Sequence, residues 1–248
     1  MKPFAGYTSV GVCFAGLVSM GIALCVVDSV GARPLGGADK PSVVSSGRGP
    51  GVSSGSVAAA DRVKSLGAEI VDGAREEARL GTPYVMNYEV IPYPGGDVTS
   101  GTGVCTDLVV RAFRRAGIDL QREVHLDRKV RPGAYPKIWD KNGIDSNIDH
   151  RRCPNLVVWF RKYARELTTD LNGAALKEWQ PGDVVFYVQK GASQPWHVGI
   201  VSDQRDSATG IPMIIDSFPP RTSESHRLDA FAPVHSHFRM EKRPVGGR

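Results

Sequence analysis

The apolar residues of this chain change their period once, and that change constrains the fold more than any other feature. Val63, Leu66, Ile70 and Ala74 recur at spacings of three and four, which marks an amphipathic helix stopped by Gly81-Thr82-Pro83. In GTGVCTDLVVRAFRRAG, Val104, Leu108, Val109 and Phe113 share one helical face, and Gly117 fits the left-handed position that closes many helices. A further helix can open at Pro154, with Leu156, Phe160, Tyr163 and Leu167 as its buried stripe. After the turn Pro181-Gly182-Asp183 the pattern becomes short β-branched and aromatic runs: VVFYV, WHVGIVSD, PMIIDSF and PVHSHFRM. Such runs between polar turns read as an antiparallel sheet. Helices early and strands late predict an α+β domain, not alternating βαβ units.

The segments outside this pattern set the organisation. Residues 10–27, VGVCFAGLVSMGIALCVV, are uncharged, follow Lys2, and precede the small residues Val30-Gly31-Ala32. These are the parts of a secretory signal, and the run also approaches the length of a membrane span. Residues 1–32 are therefore expected to be a signal peptide or an N-terminal membrane anchor. Residues 33–57 are rich in Gly, Ser and Pro and read as a flexible linker. The folded domain is expected over 58–240, with 241–248 as a tail. Within it, 84–91 reads as extended chain and 118–153 as a long loop or insertion without a regular period. The expected location is outside the cytoplasm, periplasmic or extracellular, with the inner membrane as anchor if the segment stays uncleaved.

Lys plus Arg total 31 against 26 Asp plus Glu. An excess of +5 without a dense basic run gives no footprint for nucleic acid, and no nucleic-acid partner is expected. Four cysteines are present, and only Cys105 and Cys153 lie beyond the export segment. In an oxidising compartment two such cysteines suggest a disulfide, which stands beside any catalytic reading of Cys105.

Cys105 falls in the first turn of its predicted helix. Unpaired backbone N–H groups and the positive end of the helix dipole favour a thiolate there, and the same N–H groups can line an oxyanion hole. Packing as a small buried hydrophobe explains the residue equally well. His197 opens the apolar strand HVGIV, where an imidazole can act as general base toward a thiol. If the next strand pairs with it, Asp216 can accept the other ring N–H and fix the tautomer. Each also has a bland explanation: a strand-end histidine bonded to a carbonyl, a turn-forming aspartate.

Asp149, His150, Arg151 and Arg152 lie close together before a helix. An Arg guanidinium can grip a carboxylate with two parallel bonds, so these four, with Asp107 and Trp196 beside the reactive pair, are candidate substrate-binding residues. The alternative is an ion-paired loop that locks the insertion onto the domain. His235 with His237, and His150 with Cys153, have possible ligand spacings, but no HExxH or CxxC pair is present, and no metal or other cofactor is expected.

A helix-borne Cys, a PGD turn into a strand, an HVGI strand and a polar residue on the next strand resemble, in that order, the NlpC-type, papain-like cell-wall peptidases. The strings YPGGD, GVCTD, NIDHRRCPNL, PGDVV and HVGIV together resemble the bacterial family called domain of unknown function 1287, over roughly residues 58–240. The resemblance implies a papain-like α+β fold with Cys105 as nucleophile, His197 as base and Asp216 as orienter. It implies an extracytoplasmic cysteine hydrolase, an amidase or peptidase whose partner is peptidoglycan or another envelope peptide. A non-catalytic wall-binding or scaffold domain and a thioester-forming acyltransferase are the rival readings. The sequence departs from the family pattern at Asp216, where a His is more usual, and at Cys153, where an aliphatic residue is.

Overall fold

A computed structural model describes residues 64–99, 101–139 and 143–244. The expected signal or anchor, the linker and the last four residues of the C-terminal tail lie outside the described residues. No helix among the described residues is long and apolar enough to cross a membrane.

Four α-helices come first: α1 (Leu66–Leu80), α2 (Cys105–Arg115), α3 (Leu120–Val130) and α4 (Cys153–Tyr163). Six strands follow: β1 (Arg165–Leu167), β2 (Val184–Val188), β3 (Pro195–Arg205), β4 (Pro212–Phe218), β5 (Arg221–Ser225) and β6 (Val234–Arg239). They form one sheet of order β1-β6-β2-β3-β4-β5, and every neighbouring pair is antiparallel. The domain is α+β, as the change of period predicts.

Local chemistry sets the helix ends. The Ser65 side chain accepts from Ala68 N at the start of α1, and Gly81 closes that helix at φ 61°. A Cβ on Gly73 would lie 2.8 Å from Ala112 Cα, so a bare glycine is what lets α1 lie against α2. Leu108, Val109 and Phe113 of α2 are buried against the sheet, and each contributes about 1.5–3 kcal/mol relative to an exposed position.

Both faces of the sheet are covered. Val184, Phe186, Val198, Ile200, Ile215 and Phe238 share the main core with the helices. Val185, Tyr187, Val201 and Ile214 pack on the other face against Trp179 and Leu228 from the connecting loops. There His237 is fully buried between the Asp183 carboxylate at 2.8 Å and the Thr168 carbonyl at 2.8 Å, its ring stacked 3.7 Å from Trp179.

The structure corrects the sequence reading in three places. Residues 120–130, read as irregular, form α3, capped by the Asp119 side chain on Gln121 N. Leu167 belongs to β1 and not to the stripe of α4, because the chain turns to extended geometry at Ala164. The fifth strand, Arg221–Ser225, pairs with β4 although its sequence is polar.

Candidate functional site

Cys105 is the first residue of α2. Asp107 N donates to the Val104 carbonyl at 3.0 Å, while the N–H groups of Cys105 and Thr106 precede any partner within the helix. The Asp107 carboxylate closes the turn by accepting from Val104 N at 2.8 Å. Gly103, just before, has no room for a side chain: its Cβ would meet Asp107 Cβ at 3.0 Å.

His197 enters from β3. The paired residues Ile200 with Ile215 and Val201 with Ile214 put Gly199 against Asp216 one step further along the strands. A Cβ on Gly199 would stand 2.5 Å from Ile214 Cγ2 and 3.2 Å from Asp216 Cβ. The glycine therefore clears the diagonal along which His197 Nε2 meets Asp216 Oδ2 at 2.7 Å. Both side chains are buried, at 1% and 0% exposure, so this bond works in a medium of low dielectric. Arg227 Nε lies 3.3 Å from the second Asp216 oxygen and compensates charge without a hydrogen bond. Phe218, Phe231 and Trp196 surround the imidazole at 5.0–5.6 Å between centroids and fix its plane.

Nε2 is engaged, so Nδ1 is the nitrogen left for Cys105, whose ionisation is linked to that of the imidazole. Two further groups lie near enough to the Cys105 sulfur to stabilise its anion, the Cys153 thiol and the Val198 backbone. Cys153 is the strongest influence: it, and the His197 imidazolium, outweigh burial and pull the Cys105 thiol down to about 5. Burial works against a charged His197, but Asp216 and the Cys105 thiolate outweigh it and lift the imidazole to about 9. Cys153 moves the opposite way, well above the ordinary thiol range, because its neighbour's sulfur and its burial both favour the protonated form. These opposed shifts, thiol down and imidazole up, favour a thiolate–imidazolium pair over the neutral pair. Both cysteines are free, so the disulfide weighed in the sequence is not formed here.

A cavity of about 520 Å³ opens onto the sulfur. Tyr84, Met86, Trp139 and Trp196 supply aromatic and apolar wall, and Arg151, Arg152 and Cys153 line it too. Of the candidate substrate-binding residues, Arg151, Arg152 and Trp196 reach this wall. Asp107, Asp149 and His150 do not; they are buried behind it. Arg151 gives Nε and Nη2 to Asp107 at 2.7 and 2.9 Å, and Nη1 to the Asn87 carbonyl at 3.0 Å. Its guanidinium is spent inside the protein, as in the locking alternative. Asp149 pairs with Arg128 and accepts from Asp145 N at 2.8 Å. Burial pushes His150 down to about 3, so it stays neutral, and its Nδ1 has no hydrogen-bond partner among the described residues. Arg152 differs: it stacks 4.2 Å over the Trp139 ring, with Asp149 at 3.4 Å. Tyr84 and Trp139 went unnoticed in the sequence. Tyr84, lifted to about 12 chiefly by burial, keeps its phenol proton at neutral pH beside both cysteines. Among the described residues no group of three His, Cys, Asp or Glu side chains could hold a metal ion.

Three comparisons bear on this chain. A family model described as Domain of unknown function (DUF1287) matches residues 71–240. The uncharacterized protein YijF of Escherichia coli (strain K12) is 38% identical over 162 residues, spanning 64% of this chain and 75% of YijF. A solved structure titled as similar to a lipoprotein of the NLP/P60 family, from Staphylococcus aureus, aligns with 15% identity and a TM-score of 0.38. The alignment takes in 72% of this chain but only 42% of the length of that one.

Proposed function

This chain belongs to the family described as Domain of unknown function (DUF1287), and we propose that it is an exported cysteine hydrolase that cuts an amide bond in cell-wall peptide. One observation carries the reading: Asp216 bonds a buried His197 whose imidazole acts on Cys105, and Cys105 opens onto a cavity of about 520 Å³. A structural cysteine needs neither a buried imidazole–carboxylate pair nor an opening beside it. The apolar segment at residues 10–27 supports export, and the resemblance to cell-wall peptidases supports the substrate class.

In this mechanism the Cys105 thiolate attacks the scissile carbonyl carbon. The charge moves to the carbonyl oxygen, where the N–H groups at the head of α2 receive it. His197 donates its Nδ1 proton to the departing amine, leaving a thioester on Cys105 and a neutral imidazole. That imidazole takes a proton from water, hydroxide attacks the thioester, and the acid leaves with the thiolate restored. Asp216 holds the ring in one orientation and stabilises its charged form, so the imidazolium is ready before substrate arrives. An amine in place of water would make the same site an acyltransferase.

The test is incubation of the full chain with peptidoglycan fragments, followed by mass spectrometry. The native protein should release new amine and carboxylate termini. Cys105→Ser should keep the fold by circular dichroism and release none. Equal release by that variant would end the proposal.

A further inference from the structure

The sulfur that faces Cys105 stands in no necessary relation to hydrolysis, and its placement is the part of the site least explained by that reaction. Cys153 is the first residue of α4, as Cys105 is of α2, so two helix N-termini converge on two sulfurs. The two turns are stapled together. Thr106 Oγ1 donates to the Arg151 carbonyl at 3.1 Å, and the Arg151 guanidinium grips Asp107 through two bonds. Each of these residues lies within two positions of one of the cysteines. Both thiols are free, are 5% and 6% exposed, and line the same cavity. A small solute entering the cavity meets both.

We propose that Cys105 and Cys153 form a reversible redox site, in which a peroxide converts Cys105 to a sulfenic acid and Cys153 resolves it to an intramolecular disulfide. This goes beyond the hydrolase reading, since it needs only the two sulfurs and an oxidant. The Cys105 thiolate attacks one oxygen of hydrogen peroxide. The O–O bond breaks, and the departing hydroxide takes a proton to leave as water. The Cys153 sulfur then attacks the sulfenic sulfur. The S–O bond breaks, and hydroxide leaves with the Cys153 proton as a second water. The two thiols lose two electrons in all, and one peroxide becomes two waters. Each sulfur is the foremost influence on the other's ionisation, which requires them to be near neighbours, and a disulfide then asks for a bond of about 2.05 Å. The disulfide removes the nucleophile from service while shielding it from sulfinic and sulfonic acids, which thiols do not reverse. The staple makes the pair efficient: it holds the resolving thiol in place, so no loop has to fold over first.

The experiment uses the reduced full chain, limiting hydrogen peroxide, and peptide mapping by mass spectrometry without reductant. The expected product is a peptide pair joined through Cys105 and Cys153, lighter by two hydrogens, with both thiols restored by dithiothreitol. Dimedone, which traps sulfenic acid, should label Cys105 weakly in the native chain and about tenfold more in Cys153→Ser, where irreversible sulfinic acid should also accumulate. Cys153→Ala serves as a second variant, and the native map alone decides if neither folds. A native chain that goes straight to dimedone-reactive or sulfinic Cys105, or that pairs Cys105 only with another molecule or with Cys13 or Cys25, would overturn the proposal. None of these readouts depends on hydrolysis, so an inactive protein that still forms the bridge refutes the hydrolase alone.

Discussion

Replacing Asp216 by Asn tests whether charge, and not geometry, sets the state of the sulfur. Asn keeps an oxygen for His197 Nε2–H, so the 2.7 Å bond survives while the carboxylate charge is lost. Opposite charges centred about 4 Å apart attract by about 4 kcal/mol at an effective dielectric near 20. Arg227, 3.3 Å from the second oxygen, already offsets part of that charge. Taking about half as the effective loss gives about 2 kcal/mol, or about 1.5 pH units on the imidazole. His197 should then fall from about 9 to about 7.5. The weaker imidazolium in turn raises the Cys105 thiol from about 5 by a smaller step of about one unit. The assay is the rate of iodoacetamide labelling of Cys105 against pH, with the site identified by peptide mapping. In the native chain the rate should rise as pH passes about 5 and hold level through neutrality. Any hydrolysis should fall again above about 9, as the imidazolium loses the proton it gives the leaving group. In the variant the labelling limb should move to higher pH by about one unit, and the upper limb of hydrolysis to lower pH by about 1.5. If the variant is folded and its labelling profile overlays that of the native chain, Asp216 is not an electrostatic partner. If the native limb lies at 8 to 9, near a free thiol, no thiolate–imidazolium pair exists.

Three further changes probe the scaffold. Arg151→Ala strands the Asp107 carboxylate in the interior; it should cost about 3–5 kcal/mol by urea denaturation, and slow Cys105 labelling as the two helix starts separate. Gly199→Ala drives a methyl into Ile214 at 2.5 Å; a stability loss of about 1–3 kcal/mol should accompany a larger proportional loss of turnover, because β3 and β4 must part along the His197–Asp216 diagonal. Asp127 is a control away from the cavity. Burial pushes its carboxyl up, but bonds from Arg131, Lys162, Tyr135 and Tyr163 prevail and hold it well below the usual range. Its stabilisation is present above the unfolded value near pH 4 and is lost as pH falls toward the folded one. Asp127→Asn should cost about 3 kcal/mol at neutral pH, flatten the acid limb of stability, and leave Cys105 labelling unchanged.

How much of this was legible in the sequence follows from where the signal lay. The stripe Leu108, Val109 and Phe113 repeats with helical period, so α2 and the place of Cys105 in its first turn could be read directly. The pairing of HVGIV with PMIID needed only that consecutive strands be neighbours, and it brings His197 to Asp216. Helix α3 was invisible because two of its four buried positions, Gln121 and Asp127, are polar. A hydrophobic period cannot register a side chain buried through its hydrogen bonds. Tyr84 and Trp139 were missed for a related reason: they line the cavity from irregular chain, which has no period to detect. The Arg151–Asp107 bond joins residues 44 positions apart, and nothing local distinguishes a guanidinium that grips a ligand from one that grips its own fold.

Asp216 and Cys153 act on one atom. Asp216 puts a full negative charge, 2.7 Å away, on the far side of the imidazole, where a histidine would supply a neutral ring. Cys153 puts a thiol near the sulfur, where an aliphatic side chain would offer no proton. One works through His197 and the other directly, and both lower the energy of the Cys105 anion. Stabilising an anion also makes it a weaker nucleophile, since thiolate reactivity falls with basicity. Substituting either position alone should therefore yield a sulfur ionised at higher pH but more reactive once ionised. Labelling rates well above the ionisation limb measure that second quantity separately. A Cys153→Ala or Asp216→Asn chain whose plateau rate did not exceed the native value would show that the substituted group does not bear on the anion's energy.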